Sequence, residues 1–453
     1  MARIAPLSGF PEWLPAERAV EVHVVDTLRR VFELHGFAGI ETRSVEPLSQ
    51  MLRKGEIDKE VYVVRRLHAD EPGDAGAPDD DTLGLHFDLT VPLARYVLQN
   101  GGHLTFPFKR YQIQRSWRGE RPQDGRFREF VQADVDVVGR DTLPRHHEVD
   151  VPLVMVEALR ALDVGEVRMR VNDRRVAEGL VRGLGLDDVG AVLAAVDKLA
   201  KIGPDAVGAL LRERAGASGA QADAVLDMAS LTGRDAAGAV GALAARHGAT
   251  SDDLAGAVAD LQRLLDAAED VAPGAVVADL SVVRGLDYYT GSVYETELVG
   301  QEDLGSVCSG GRYDDLASDG ATRHPGVGLS IGVSRLVSRL LRDDVVRATR
   351  PVPTAVVVAV TDEATRSRSD AVARALRARG VSADTAPTAA KFGRQIRHAD
   401  RLGVPFVWFP GEDGAPDQVK DIRSGDQVEA DAATWAPPPD DARQRVVRTD
   451  RAG

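Results

Sequence analysis

Six arginines fall between Arg110 and Arg128: Arg110, Arg115, Arg118, Arg121, Arg126 and Arg128. Guanidinium forks suit phosphate oxygens, which they meet with paired, charge-assisted hydrogen bonds. Just beyond them Phe130, Gln132, Asp134 and Asp136 alternate with Val131, Ala133, Val135 and Val137. A period of two marks a strand whose faces differ. One face of that strand offers an amide and a carboxylate beside the cation Arg118. A solvated face of an antiparallel sheet is the plain alternative, and the density of arginines weighs against it. Upstream, Tyr111 and Ile113 alternate with Gln112 and Gln114, and Gly119 to Gly125 is polar with a central Pro122. The stretch from Phe108 to Gly139 thus predicts strand, long loop and strand, paired antiparallel.

This stretch resembles motif 2 of the class II aminoacyl-tRNA synthetases in the form found in histidyl-tRNA synthetases. There an aromatic-Arg-x-Glu-Arg-Pro loop precedes Gly-Arg-aromatic-Arg-x-Phe, and a Gln stands four residues before an acid. Here the matching runs are Trp117-Arg118-Gly119-Glu120-Arg121-Pro122, Gly125-Arg126-Phe127-Arg128-Glu129-Phe130, and Gln132 with Asp136. Arg284-Gly285-Leu286-Asp287-Tyr288-Tyr289-Thr290-Gly291 is similar to the family's histidine-specific signature. Ser309-Gly310-Gly311-Arg312-Tyr313-Asp314 resembles its Gly-Gly-Arg-Tyr-Asp run, whose Tyr approaches bound histidine. Gly326 to Leu336 is similar to motif 3, where an Arg grips the γ-phosphate of ATP, here Arg335. Asp88-Leu89-Thr90 matches a motif that brings an acid and a Thr to the substrate ammonium, and Asn172-Asp173-Arg174-Arg175 matches a further family run. Three positions depart from the pattern: Arg43 stands for Pro, His86 for Arg and Ser334 for Glu.

The resemblance implies a histidine–tRNA ligase. Histidine and ATP form histidyl-adenylate and pyrophosphate, and histidine then passes to the 3′ end of tRNA(His). The histidine carboxylate is itself the nucleophile, so catalysis is positioning and charge stabilisation. By resemblance, Arg118 and Arg284 hold the α-phosphate region and are the catalytic pair. Glu120, Arg126 and Arg335 join Arg118 in binding ATP. Asp88, Thr90 and Gln132 take the α-ammonium of histidine. Asp136 and Tyr289 read the imidazole, with Tyr288 and Tyr313 beside them. Mg2+ is implied by the polyphosphate, and no ligand cluster for it stands out. The resemblance of the first helix and strand to motif 1 implies a homodimer. A second reading is a non-ligating, histidine-binding paralogue such as the regulatory subunit of ATP phosphoribosyltransferase. That protein typically lacks the anticodon domain and an intact Arg-Gly-Leu-Asp-Tyr-Tyr run, and both are present here.

The chain has 453 residues, enough for about two to four domains. Its net charge of −14 argues against a uniformly basic surface for nonspecific nucleic-acid binding, though not against a local one. The single cysteine, Cys308, excludes an internal disulfide and a cysteine-built metal site. No apolar run is long enough to span a bilayer, and the first residues lack a signal-peptide layout, so the expected location is cytoplasmic, with no membrane partner.

The elements that must position these residues follow from pattern. Ala16 to Leu34 predicts a helix through Ala19, Val22, Val25, Leu28, Val31 and Phe32. Lys59 to His68 and Leu83 to Phe87 predict strands around an acidic loop. Thr90 before Val91-Pro92 predicts a hydroxyl-capped helix start. His146 to Leu162 predicts a helix. Adjacent histidines on a helix face different ways, so His146, His147 and Glu148 are expected to be a solvated start rather than a metal site. Val176 to Leu265 is helical in pattern. After Arg347 to Pro353, a linker, strands and helices alternate as in an α/β domain. There Arg394, Arg397 and Arg401 share one helix face within a run similar to the family's anticodon-binding domain, which implies tRNA contact. The expected fold is α+β: a class II antiparallel-sheet catalytic domain with a helical insertion, then an α/β anticodon-binding domain. Expected boundaries are 1–175 and 271–345 for the catalytic parts, 176–270 for the insertion, 352–436 for the anticodon domain and 437–453 for a flexible tail.

Overall fold

The computed structural model describes residues 5–52, 60–66, 82–283, 288–318, 320, 322–412 and 414–449. They divide into two units, Met1–Pro11 with Val24–Arg339, and Glu12–His23 with Leu340–Gly453. The acidic run 70–81 and Arg284 to Asp287 lie outside the described residues, as do Lys59 and His68.

In the first unit the strands are β1 (Ala38–Gly39), β2 (Val45–Pro47), β3 (Val63–Val64), β4 (Leu83–Leu85), β5 (Phe108–Trp117), β6 (Glu129–Val138), β7 (Val167–Asp173), β8 (Val276–Ala278), β9 (Ser292–Leu298), β10 (Cys308–Ser318) and β11 (Arg323–Gly332). Eight form one sheet in the order β1-β5-β6-β11-β10-β9-β7-β8. The inner pairs are antiparallel, and the edge strands β1 and β8 run parallel to β5 and β7. The expected antiparallel pair is therefore β5 with β6, and β11 joins it on the other side of β6. That crossover brings the Gly-rich stretch at the end of the catalytic chain beside the arginine-rich one.

Both faces of β6 are buried: Val131, Ala133, Val135 and Val137 on one, Gln132, Asp134 and Asp136 on the other. The helix His147–Ala161 lies against β6 and β11. A central strand covered on both sides needs no solvated face, so the plain alternative to a binding face does not hold. On β5 the buried set is polar too, with Arg110, Gln112 and Ser116 fully enclosed. In the helix Pro15–Leu34 the buried residues include Val24, Leu28, Val31 and Phe32, while Val22 is 40% exposed. The apolar stripe is thus turned from the one expected through Val22 and Val25.

Between β7 and β8 the chain is helical from Arg174 to Val271. Asp173 caps the first helix, Ser218 forms a reciprocal capping box and Ser251 caps the last helix, Asp252–Val271. That last helix returns to pack on Arg174–Gly183 and on His147–Ala161.

The second unit contains β12 (Val346–Ala348), β13 (Val356–Val358), β14 (Ala383–Thr385), β15 (Phe406–Phe409), β16 (Gln418–Asp421), β17 (Gln427–Glu429) and β18 (Val446–Arg448). Five form a sheet ordered β14-β13-β15-β16-β17, parallel through β15 and antiparallel beyond. Val356 and Val358 pack on one face with Leu376, Phe406 and Trp408, and Val357 on the other with Ala399 and Val407. A short continuous apolar run is the mark of such a strand, covered on both faces. The described part of the tail expected to be flexible, up to Thr449, is structured. It forms the helix Pro439–Ala442, and β18 pairs with β12, the start of the expected linker. Its charges are paired, Asp441 with Arg423 at 2.8 Å and Asp440 with Arg445 at 2.9 Å, so composition alone misjudged it. Among the described residues no helix is long and apolar enough to cross a membrane.

Candidate functional site

The site is built on the register of four strands. Arg110 lies opposite Asp136 and Gln114 opposite Gln132 across β5 and β6. Gly328 lies opposite Asp136, and Ser330 opposite Asp134, across β6 and β11. Asp136 accepts a hydrogen bond from the Tyr313 hydroxyl at 2.7 Å and an ion pair from Arg110 Nη2 at 2.6 Å. Arg110 is fully buried and also stands 3.9 Å from Asp134. Glycine supplies the room. A Cβ at Gly328 would sit 1.9 Å from Asp136 Oδ1, and one at Gly311 would sit 2.8 Å from the Tyr289 ring. The Gly-rich runs of β10 and β11 therefore leave space for the Tyr289 and Asp136 side chains.

One cavity, about 100 Å³ in volume, is lined by Asp88, Thr90, Arg118, Gln132, Asp134, Asp136, Tyr288, Tyr289, Tyr313 and Ser330, among others. Burial pushes the Tyr313 hydroxyl well above its ordinary range, and Asp136 adds to this. Burial does the same to Tyr288, with Asp88, Asp136 and Asp134 all adding to it. Both phenols therefore stay protonated and able to donate. Gln132 Nε2 donates to Ser330 Oγ at 2.8 Å. Asp88 Oδ1 accepts from the backbone N–H groups of Thr90 and Val91, each at 3.1 Å. The N-cap position of the helix Thr90–Asn100 is Leu89, and the first-turn N–H groups are held by Asp88 just before it, not by the Thr90 hydroxyl. Thr90 is already the first helical residue, and the carboxylate before it reaches the free N–H groups of the first turn.

A second cavity, about 150 Å³, is lined by Arg118, Glu120, Arg126, Phe127, Phe130, Gln132, Ser309, Ser330 and Arg335, among others. The two cavities share Arg118, Gln132, Ser309 and Ser330. The Arg118 guanidinium lies over both the Phe87 and Phe130 rings, 4.8 and 5.0 Å from their centres, and its Nε donates to the Phe87 carbonyl at 3.2 Å. Arg335 donates from Nε to the Gly125 carbonyl at 3.0 Å and from Nη1 to the Ser306 carbonyl at 2.6 Å. Burial lowers the Arg335 pKa, Arg126 and Arg118 lower it further, and Glu120 opposes them. A guanidinium whose charge is disfavoured by its surroundings is stabilised by an incoming anion. Glu120 is the one carboxylate lining this cavity among the described residues, 3.5 Å from Arg126.

The structure thus brings together Asp88, Thr90, Arg118, Glu120, Arg126, Gln132, Asp136, Tyr288, Tyr289, Tyr313 and Arg335. Arg284 lies outside the described residues. Its neighbours are braced by the run at the end of β7: Asn172 Nδ2 donates to the Val282 carbonyl and Arg174 Nη1 to the Tyr289 carbonyl, each at 3.0 Å. Arg394, Arg397 and Arg401 are exposed on the helix Phe392–Arg401 of the second unit. The sequence reading gave no role to Asp134, Arg110 or Ser330. Alternation already placed Asp134 on the face of Gln132 and Asp136, whereas Arg110 and Ser330 become visible only through strand register.

The departures have structural partners. Arg43 pairs at 2.9 Å with the buried Glu46, which Arg95 also holds at 2.8 Å. His86 is fully buried, with its ring nitrogens 3.1 Å from the Arg43 carbonyl and 2.6 Å from the Arg115 carbonyl. Ser334 Oγ accepts from the Val131 N–H at 2.8 Å and so fastens the helix Val333–Arg342 to β6. The two adjacent histidines do not face apart: His146 is the N-cap, outside the helix proper, and its ring centre is 4.0 Å from that of His147. With Asp150 they could offer three ligand atoms to a metal. Burial lowers the His147 pKa, and His146 and Lys109 lower it further, so the surroundings already disfavour positive charge there.

The family model described as Histidyl-tRNA synthetase matches residues 9–336, and that described as Anticodon binding domain matches residues 354–434. The histidine–tRNA ligase of Micrococcus luteus is 56% identical, covering 99% of this chain and 99% of its own. That of Cutibacterium acnes is 55% identical over 99% of this chain and 100% of its own. The crystal structure of histidyl-tRNA synthetase from Nostoc sp. PCC 7120 superposes with a TM-score of 0.81 at 32% identity, covering 95% of this chain and 98% of that one. Relatives matched end to end, anticodon domain included, do not favour the non-ligating alternative.

Proposed function

The chain belongs to the histidyl-tRNA synthetase family, and on that premise we propose that its two joined cavities activate histidine with ATP and pass it to tRNA(His). The observation that carries this reading is the junction. A cavity lined by carboxylates and phenols meets one lined by arginines, and Arg118 borders both. An amino acid in the first and a polyphosphate in the second would meet head to head, carboxylate against α-phosphate.

Each side chain then has a task. Arg118, fixed by two rings and a carbonyl, holds the α-phosphate without reorganising during reaction. Arg284 in the signature run is the second cation at the point where the carboxylate arrives. Arg335 and Arg126 bind the outer phosphates. Mg2+ is commonly held by one or two carboxylates together with substrate phosphates, and Glu120 among the arginines fits that arrangement. When bound there, the ion would offset phosphate charge. Gln132, Asp88 and Thr90 hold the α-ammonium. Asp136, clamped by Arg110 and Tyr313, accepts from the imidazole N–H, and Tyr289 flanks the ring. No protein nucleophile is needed, because the histidine carboxylate attacks the phosphorus and pyrophosphate leaves.

The second unit, with Arg394, Arg397 and Arg401 exposed on one helix, engages the tRNA. The helix Pro15–Leu34 and the exposed edge strand β1 form the core of a homodimer contact. A cytoplasmic location goes with the substrates, ATP and tRNA. The test is a rapid-quench comparison of the two half-reactions in Arg118→Ala. Adenylate formation is expected to fall by about 10²–10³, with transfer from preformed adenylate less affected. Adenylation within about threefold of wild type would take Arg118 out of the junction.

A further inference from the structure

Three side chains of β6 line the acidic cavity, and the reading above uses the outer two, Gln132 and Asp136. Asp134 stands between them and is buried. Its Oδ1 and Gln132 Oε1 are both buried acceptors with no hydrogen-bond partner among the described residues. An acceptor removed from water and left unpaired is unfavourable, and two on one strand face point to a donor that arrives with the ligand. Ser330 fixes the direction of both. It receives the Gln132 Nε2 hydrogen bond at 2.8 Å and is itself hydrogen-bonded to the Asp134 side chain. The amide therefore turns its NH2 to Ser330 and its buried oxygen away from it. Asp136 is different, with Oδ1 taken by Tyr313 and Oδ2 by Arg110.

Charge says what kind of donor is missing. Asp88, Asp134 and Asp136 face this space with Arg118, and the buried Arg110 stands 2.6 Å from Asp136 and 3.9 Å from Asp134. Three carboxylates against two guanidiniums leave one negative charge unmatched among the described residues, and a cation arriving beside Asp134 offsets it. Gln132 borders both cavities, so its end of the face is where the substrate carboxylate meets the phosphate. The α-ammonium sits on the carbon that bears that carboxylate, whereas the imidazole lies deeper, toward Asp136 and Tyr313.

We propose that Asp134 is a binding residue for the α-ammonium, its Oδ1 and Gln132 Oε1 together receiving two of the three N–H groups. This rests on the reading of the acidic cavity as the histidine site. It has a thermodynamic signature. Burial pushes the Asp134 carboxyl up to about 7, Arg110 and the Ser330 hydrogen bond draw it down, and Asp136 and Asp88 add to the rise. Near neutral pH the free protein holds part of a proton there, and an ammonium alongside drives it off.

The experiment is calorimetric titration of the full-length protein at pH 7 in two buffers of different ionisation enthalpy. The ligands are histidine and imidazolepropionate, the same molecule without its amino group, and the proteins are wild type and Asp134→Asn. Proton release is counted beyond that of the ligand's own imidazole, which also titrates near pH 7; for wild type it is expected on binding histidine and absent on binding imidazolepropionate. Expected for Asp134→Asn is histidine affinity reduced at least about tenfold, imidazolepropionate affinity within about threefold, and no proton release. Equal losses for both ligands, or undiminished histidine affinity, would overturn the proposal. If the variant does not fold, wild type alone decides, because equal proton release with both ligands also overturns it. A wild-type protein that binds imidazolepropionate but not histidine counts against Asp134 alone, and one that binds neither removes the underlying reading of the cavity.

Discussion

One added methyl group at position 328 should disable Asp136, the carboxylate proposed to read the imidazole. A Cβ there falls 1.9 Å from Asp136 Oδ1 and 2.4 Å from its Cγ. Real Cβ contacts stay beyond 3.0 Å, so the carboxylate must retreat by at least 1.1 Å, the difference between 3.0 and 1.9. It is not a loose end: Tyr313 holds it at 2.7 Å and Arg110 at 2.6 Å, and a move of that size cannot keep both. Hydrogen bonds to a charged group contribute about 1.5–3 kcal/mol, and a site group misplaced by about 1 Å costs about 10²-fold. Gly328→Ala should therefore lower kcat/KM for histidine in pyrophosphate exchange by about 10²-fold, mostly through KM. The KM for ATP should stay within about threefold, because the arginine cavity is lined by Ser330 and Gly332 further along the same strand and not by Gly328. Steady-state exchange with each substrate varied, on protein shown to be folded by circular dichroism, reads this directly. A folded variant with a histidine KM within about threefold of wild type would refute the placement of Asp136 against Gly328.

Asp134 should also shape stability. Its folded-state pKa, about 7, lies above the ordinary 3.8, so the fold favours the protonated form. That favour is complete below about pH 4 and is lost as pH rises through about 7, a cost of up to about 4 kcal/mol for the ligand-free protein at pH 8. Asp134→Asn should therefore raise Tm at pH 8 and much less at pH 5, and an equal change at both would contradict the shift. Ser334→Ala leaves the Val131 N–H buried without its partner and should cost about 1–3 kcal/mol in urea unfolding, with both substrate KM values nearly unchanged. Replacing Arg394, Arg397 and Arg401 together with Ala should raise the KM for tRNA about tenfold or more and flatten its salt dependence. Pyrophosphate exchange in that variant should match wild type.

Much of the site was legible in the sequence because its spacing is local. Gln132 and Asp136 share a face by the period of a strand, and Arg118, Glu120 and Arg126 fall in one loop. The partners that make these residues work come from elsewhere in the chain. Arg110 looked like one arginine among six until register set it opposite Asp136. Ser330 lay in a Gly-rich run read for its backbone, and its hydroxyl turned out to orient Gln132. Val22 misled because apolar residues on an amphipathic helix can still face outward. The tail after Trp435 was judged by composition, which cannot see that Val446 to Arg448 has a strand to pair with. His86 and Arg43 departed from the family pattern, and each finds buried partners at positions that no local pattern connects.

The most direct test of the central claim is ATP–pyrophosphate exchange with each of the twenty amino acids in turn, followed by charging of tRNA. A cavity in which Asp136 accepts an imidazole N–H and buried groups require an ammonium should support exchange with histidine at least about 10³-fold better, by kcat/KM, than with any other amino acid. The same preparation should then charge tRNA(His). Comparable exchange with glutamine or asparagine, or histidine binding without any exchange, would contradict it.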